Sequence, residues 1–260
     1  MYIPPGFDKD LALEAAKLVA QAYKQYRQGA AWTITGDYEV LVQLLAKPKP
    51  VLTKPLPDKE LFGFVARNTI TGTLFVTFRG TQSPGDWISN ISIPPIPFKP
   101  NWGKVEEGFS ALYWQMFADI DAAIAKCPGA PIVVTGHSLG GALSTIAAAD
   151  LAYNKQKVQL YNFASPRTGD FDFASALNAD SHALCRWRVV NTEDIVTTVP
   201  LASTKVSNGN ESLGPLTAVL HFLNQLDYTH VGAPVAFTTQ NHSIIDNHAI
   251  ETYIAALSAA

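Results

Sequence analysis

Cysteine is scarce in this chain: Cys127 and Cys185 are the two among 260 residues. Two thiols allow one bridge or none, and they make neither a disulfide framework nor a cysteine metal site. Charge is scarce as well, at 16% of residues, with 19 basic against 22 acidic side chains and a net charge of −3. No long block of one sign occurs, so nucleic acid is not an expected partner. No apolar run reaches membrane-spanning length, and Asp8, Lys9 and Asp10 stand where a secretory leader needs an apolar stretch. The expectation is therefore a soluble chain without a transmembrane segment, its compartment and oligomeric state left open. The six histidines lack metal-ligand spacing, so neither a metal nor a cofactor is expected. Internal repeats and low-complexity tracts are absent.

What the chain does have is apolar mass. Hydrophobic residues make up 47% of it, enough for one globular domain spanning residues 1–260 with a sizeable core. Its most informative stretch is 131–142, Pro-Ile-Val-Val-Thr-Gly-His-Ser-Leu-Gly-Gly-Ala. The β-branched run Ile132–Thr135 reads as a buried strand, and the small residues from Gly141 to Ala149 read as a helix. Between them, Gly136-His137-Ser138-Leu139-Gly140 has the Gly-x-Ser-x-Gly pattern of a nucleophile elbow. Such a corner lifts the serine hydroxyl above the sheet, and the following helix turns its free N–H groups and positive dipole end toward any oxyanion formed there.

Along the rest of the chain, Leu11, Ala15, Leu18, Val19, Ala22 and Tyr26 fall on one face of a helix over 8–27 capped by Asp8. Four prolines mark 47–59 as a surface loop. Leu61–Arg67 and Thr73–Phe78 read as a strand pair turning at Thr71-Gly72. The second strand runs into Phe78-Arg79-Gly80-Thr81, where Gly80 allows close backbone approach and Thr81 brings an N–H and a hydroxyl, so Thr81 is a candidate oxyanion donor. In 86–98, Trp87, Ile88 and Ile91 share one face before three prolines; so much apolar area marks either a lid or acyl-pocket wall or a loop folded onto the core. Phe109, Leu112, Tyr113, Met116, Ile120 and Ile124 repeat at helical spacing. Further strands follow at Val158–Ala164, Arg186–Asn191 and from His230 to Val235, with a last helix over Ala249–Leu257. Strands alternating with helices imply an α/β fold with a mostly parallel central sheet flanked by helices, active residues gathering at the strands' carboxyl ends.

A serine nucleophile in this architecture needs an acid and then a histidine further along the chain. Asp194 follows a strand end and precedes apolar Ile195-Val196, which favours it over its neighbour Glu193. His137 and His182 come too early, and His221 and His230 read as structural. His248, at the start of the last helix, is favoured over His242. Pro215 opens a helical pattern with Leu216, Val219, Leu220 and Leu223 on one face, a second apolar cover for the acyl site or a core helix. Trp87, Ile88, Ile91, Val196, Leu216 and Leu220 are the candidate substrate contacts.

Taken together, these residues resemble the class 3 lipase family of α/β hydrolases, which includes fungal triacylglycerol lipases, feruloyl esterases and plant plastid phospholipases A1. The resemblance runs from about Phe62 to Tyr253. It is carried by Phe-Arg-Gly-Thr at 78–81, Asp-Trp at 86–87, Gly-Phe at 108–109, Gly-His-Ser-Leu-Gly-Gly at 136–141, Ser-Pro-Arg-Thr-Gly-Asp at 165–170 and Asn-Thr-Glu-Asp-Ile-Val at 191–196. His-Val-Gly at 230–232 and His248, five residues before Tyr253, complete it. It implies the α/β-hydrolase fold with a lid at 86–98, a Ser138–Asp194–His248 triad, and Thr81 and Leu139 as oxyanion donors. Thr197-Thr198 departs from the proline that many members carry after the Asp-Ile-Val run. The implied activity is carboxylic-ester hydrolysis on acylglycerol-type lipids, with an oil–water interface as a partner. Feruloyl esterase and phospholipase A1 activities are the alternatives on the same scaffold. A thioesterase or acyltransferase uses the same triad, and a non-catalytic binding protein is the distant rival.

Overall fold

Asp8 accepts a hydrogen bond from the Leu11 amide at 2.9 Å and opens the first helix where the sequence places it, α1 (Lys9–Gln28). The computed structural model describes residues 1–48, 59–81, 95–200 and 228–260. The expected loop at 47–59 lies mostly outside them.

Seven strands form the main sheet: β1 (Tyr38–Ala46), β2 (Glu60–Asn68), β3 (Leu74–Phe78), β6 (Ile132–His137), β7 (Val158–Phe163), β9 (Ala183–Asn191) and β11 (Ala233–Phe237). They pair in that order across the sheet. β1, β2 and β3 form an antiparallel meander, and from β3 onward every pairing is parallel. Parallel strands covered on both faces must be apolar throughout, and β3 and β6 are buried at every position. A small second sheet joins β4 (Pro95–Pro97), β5 (Lys104–Glu106), β8 (Gly169–Asp170) and β10 (Tyr228–Thr229) in the order β10-β8-β5-β4.

Helices cover both faces of the main sheet. α2 (Glu107–Ala125), α3 (Leu139–Tyr153) and α4 (Phe171–Ala179) pack with Val76, Val134 and Leu160 on one side. α1 and the last helix, α6 (Ile250–Ser258), pack with Phe75, Val133 and Tyr161 on the other. α3 is buried at every residue from Leu139 to Ala152, so its helix has no polar face to show. Its glycines and alanines let it lie close to the strands. β1, α4 and the small sheet were not anticipated. The strand expected from His230 begins at Ala233 instead, and His230 sits between β10 and β11 where Gly232 turns the chain at φ +84°. A short helix, α5 (Ile244–His248), precedes the last one, so His248 closes a helical turn.

A buried charge ties the segment after β4 to the core. Asp150 on α3 is fully buried, and Lys99 Nζ lies 2.9 Å from its Oδ1 while the Tyr113 hydroxyl donates to its Oδ2 at 2.7 Å. The ammonium also lies over the rings of Trp114, at 4.7 Å, and Tyr153, at 5.4 Å. Removing one partner of a buried pair leaves the other charge uncompensated, which is worse than never having the pair. Lys99→Met should therefore lower stability by roughly 2–4 kcal/mol, read as a shift in urea midpoint. Pairing it with Asp150→Asn should restore most of the loss.

Candidate active site

β6 runs parallel between β3 and β7, with Phe78 opposite Gly136 and His137 opposite Phe163. The ends of β3 and β6 therefore meet at one edge, the carboxyl edge of the sheet, where α/β folds place their chemistry. The chain turns there through Ser138 at φ 59°, ψ −128°, a conformation a non-glycine residue adopts only when its surroundings impose it. The surroundings are close-packed backbone. A Cβ on Gly136 would fall 2.0 Å from the Gly140 carbonyl oxygen, and one on Gly140 would fall 2.5 Å from that of Phe78. The Ser138 N–H donates to the Phe163 carbonyl at 3.0 Å, and its carbonyl accepts from Gly141 at 2.8 Å, so both ends of the serine are held. As the first residue of α3, Leu139 presents an N–H that no intrahelical acceptor can reach.

The candidate acid, Asp194, and the candidate base, His248, are in contact. His248 Nδ1 donates to Asp194 Oδ2 at 2.8 Å, with Asp194 1% and His248 2% exposed. The Tyr253 hydroxyl donates to the same oxygen at 2.6 Å, and the Val196 N–H donates to Oδ1 at 3.0 Å. Burial first, then the Asp194 charge, push the Tyr253 hydroxyl well above its ordinary range, which keeps it a donor. With Nδ1 committed, His248 keeps Nε2 as the nitrogen available for chemistry. His248 Nε2, Ser138 Oγ and Thr81 Oγ1 are all buried and without a hydrogen-bond partner among the described residues.

The rival residues are elsewhere. Glu193 accepts from Gln240 at 2.8 Å on an exposed site, and His242 is exposed. His230 donates from Nε2 to the Thr197 carbonyl at 2.9 Å. Burial, then Arg188 and Arg167, push it down to about 3 and keep it neutral. Arg167 also donates to the Thr198 and Pro200 carbonyls. The Thr197 and Thr198 hydroxyls close the turn onto the Asp194 and Ile195 carbonyls at 2.8 and 2.7 Å. The departure at these two threonines is thus absorbed locally, and Asp194 stays in contact with His248.

Three supporting residues escaped the sequence reading. Arg79, 2% exposed, donates to the Leu61 and Gly80 carbonyls at 2.6 Å each, and its guanidinium lies 3.7 Å from the Tyr26 ring centroid. It pairs with Glu60 at 3.0 Å, so the whole Phe-Arg-Gly-Thr turn is anchored by its arginine. Asn191, at the end of β9, donates to the Thr239 and Asn247 carbonyls at 2.9 and 3.0 Å and ties the acid loop to the segment carrying His248. Tyr253 entered the sequence reading only as a spacing. An arginine in Arg-Gly-Thr and an asparagine at a strand end were signals of the right kind, since both residue types bind several backbone carbonyls at once.

Of the expected substrate contacts, Trp87, Ile88, Ile91, Leu216 and Leu220 lie outside the described residues. So does the lid candidate 86–98, apart from its end at Pro95–Phe98, where β4 pairs with β5. Val196 is fully buried beneath the acid. Among the described residues no group of three His, Cys, Asp or Glu side chains could hold a metal ion, both cysteines are free, and no helix is long and apolar enough to cross a membrane.

The chain is 33% identical over 149 residues to a lipase of Rhizomucor miehei, an alignment covering 54% of this chain and 40% of the relative. It is 29% identical over 216 residues to a chloroplastic galactolipase of Arabidopsis thaliana, covering 70% of this chain and 44% of that one. The chain spans less than half the length of these relatives. Among solved structures, lipase II of Rhizopus niveus superposes with a TM-score of 0.64 at 22% identity, covering 94% of this chain and 91% of that one, a likeness of fold. A lipase of Rhizopus microsporus var. chinensis superposes with a TM-score of 0.57 at 29% identity over 74% of this chain and 68% of that one. Residues 75–204, half of the chain, match the family model described as Lipase (class 3). With this match running from β3 through the elbow to the acid loop, the chain belongs to the class 3 lipase family, with its α/β-hydrolase fold.

Proposed function

We propose that this protein hydrolyses carboxylic esters of acylglycerol-type lipids through an acyl-enzyme on Ser138. The observation that carries the reading is the buried Asp194–His248 bond at 2.8 Å, which leaves His248 Nε2 without a partner among the described residues, as is the hydroxyl of Ser138, whose neighbour His137 lies 2.7 Å from the His248 carbonyl. His248 takes the Ser138 proton as Oγ attacks the ester carbonyl carbon. The carbonyl π electrons move to oxygen, and the N–H groups of Thr81 and Leu139 receive that oxyanion, a contribution of about 3 kcal/mol per donor in comparable sites. Collapse breaks the bond to the alkoxy group, which leaves with the proton held by His248. Water then repeats the sequence on the acyl-enzyme, giving the free acid and Ser138. Asp194 holds the imidazole in the tautomer with its proton on Nδ1 and stabilises the imidazolium that forms.

Trp87, Ile88, Ile91, Val196, Leu216 and Leu220 are the residues proposed to receive the acyl chain, with 86–98 as the lid. Two apolar covers suit a fatty acyl group better than a small aromatic acid. A polar-lipid acyl hydrolase, of phospholipase A1 or galactolipase type, is the second reading. Alignments to the Arabidopsis galactolipase and to a phospholipase A1 of Oryza sativa extend over 70% and 72% of the chain, against 54% for the Rhizomucor lipase.

Ser138→Ala should abolish both ester turnover and labelling by a fluorophosphonate probe; retention of most activity would refute the nucleophile. Asp194→Asn, which favours the wrong imidazole tautomer, should lower kcat by about 10³–10⁴-fold with little change in fold. Rates on emulsified long-chain acylglycerols, phosphatidylcholine, galactolipid, soluble short-chain esters and methyl ferulate separate the readings. Fastest turnover is expected on long-chain acylglycerols, and turnover of methyl ferulate alone would overturn the lipid assignment.

A further inference from the structure

His137 precedes the proposed nucleophile and Tyr23 lies far away in α1, yet the two join in one hydrogen-bonded path. The Gly80 N–H donates to the Tyr23 hydroxyl at 3.0 Å, and that hydroxyl lies 2.8 Å from His137 Nδ1. His137 Nε2 lies 2.7 Å from the backbone carbonyl of His248. The proton positions follow from the partners. A carbonyl only accepts, so Nε2 carries the proton and Nδ1 is the acceptor for the Tyr23 O–H. The phenolic oxygen is then free to accept from Gly80. Every donor has one acceptor and every acceptor one donor, with no water required.

Electrostatics hold the path in that state. Burial, then the neighbouring His248, drive His137 well below its ordinary range, so it is neutral. Burial likewise pushes the Tyr23 hydroxyl well up, so it keeps its proton. Neutrality matters because the His137 and His248 rings lie 4.6 Å apart between centroids, and a charge on His137 would oppose an imidazolium on His248. Sterics fix the other end. A Cβ on Gly80 would fall 2.5 Å from the Tyr23 oxygen and 2.7 Å from Ser138 Cβ, so Gly80 is wedged between helix and nucleophile. With its N–H taken by Tyr23, Gly80 has none to offer an oxyanion, and the duty passes to Thr81.

We propose that Tyr23 and His137 are a positioning pair that fixes the oxyanion loop at Gly80-Thr81 and the backbone of His248 relative to each other across the elbow. This rests on the ester-hydrolase reading. Neither side chain touches substrate in this account; their effect is on the registry of two groups that must both reach the same tetrahedral centre. Misplacement of that order costs rate at the transition state and leaves ground-state binding largely intact.

The test is Tyr23→Phe, which keeps the ring and removes the hydroxyl, assayed on a soluble short-chain ester with rates normalised to sites titrated by a fluorophosphonate. The expected result is a fall in kcat of about 10- to 100-fold with KM within twofold of the unaltered chain. A double-mutant cycle with His137→Phe should be strongly non-additive, the double variant no slower than the worse single one. An unchanged kcat per titrated site for Tyr23→Phe, or losses that multiply in the double variant, would overturn the pair. If His137→Phe does not fold, the Tyr23→Phe division between kcat and KM decides alone. Ser138-dependent turnover in the unaltered chain with no effect of Tyr23→Phe overturns this proposal and leaves the hydrolase reading standing. No Ser138-dependent turnover in the unaltered chain overturns both.

Discussion

The conformation of Ser138 is the constraint on which the rest of the site depends. A serine at φ 59°, ψ −128° is not a resting state of a free chain, and it persists because β6 and α3 leave it no alternative. The strand arrives beside β3 in parallel register, and the helix departs so close that glycine is required at 136 and 140. The fully buried α3 with its small residues is what makes that close departure feasible. Sheet order, helix composition and serine geometry are therefore one problem with one solution. The strain is balanced by the packing of the core on either side.

Around that fixed point the supporting groups act mainly through backbone. Arg79 grips the Leu61 carbonyl, Asn191 grips the Thr239 and Asn247 carbonyls, and His137 meets the His248 carbonyl. Each links segments far apart in sequence by satisfying main-chain groups that burial would otherwise leave unpaired. Asp194 is treated in the same way, with its two oxygens shared among Val196, Tyr253 and His248. Side chains with several donors recur because a single one can pin a loop at two points.

Much of this was legible in the sequence, for reasons that can be named. The elbow declares itself because strand, turn and helix compositions change within a dozen residues. Asp194 and His248 could be chosen over Glu193 and His242 because chain order and an adjacent apolar pair narrow the field, and the geometry joins those two. Other features were hidden. β1 carries two register shifts against β2 and is mostly half-buried, which blurs the alternation that marks a strand. The small sheet is built from two- and three-residue strands, too short for any period. The strand expected from His230 begins later because Gly232 turns the chain first. Tyr23 sits in an amphipathic helix where periodicity shows only a half-buried aromatic. His137 was set aside because its place in the chain rules it out as a base, which says nothing about a backbone partner.

In the proposed mechanism Ser138 attacks while the N–H groups of Thr81 and Leu139 receive the oxyanion and His248 Nε2 faces the leaving group. The most direct measurement is a crystal structure of the protein after reaction with an alkyl phosphonate ester, whose phosphorus is tetrahedral like the intermediate. The expected structure has phosphorus bonded to Ser138 Oγ, one phosphonyl oxygen roughly 2.7–3.1 Å from both N–H groups, and the alkoxy oxygen on the His248 side. Phosphorus on another residue, or a phosphonyl oxygen turned away from Thr81 and Leu139, would contradict it.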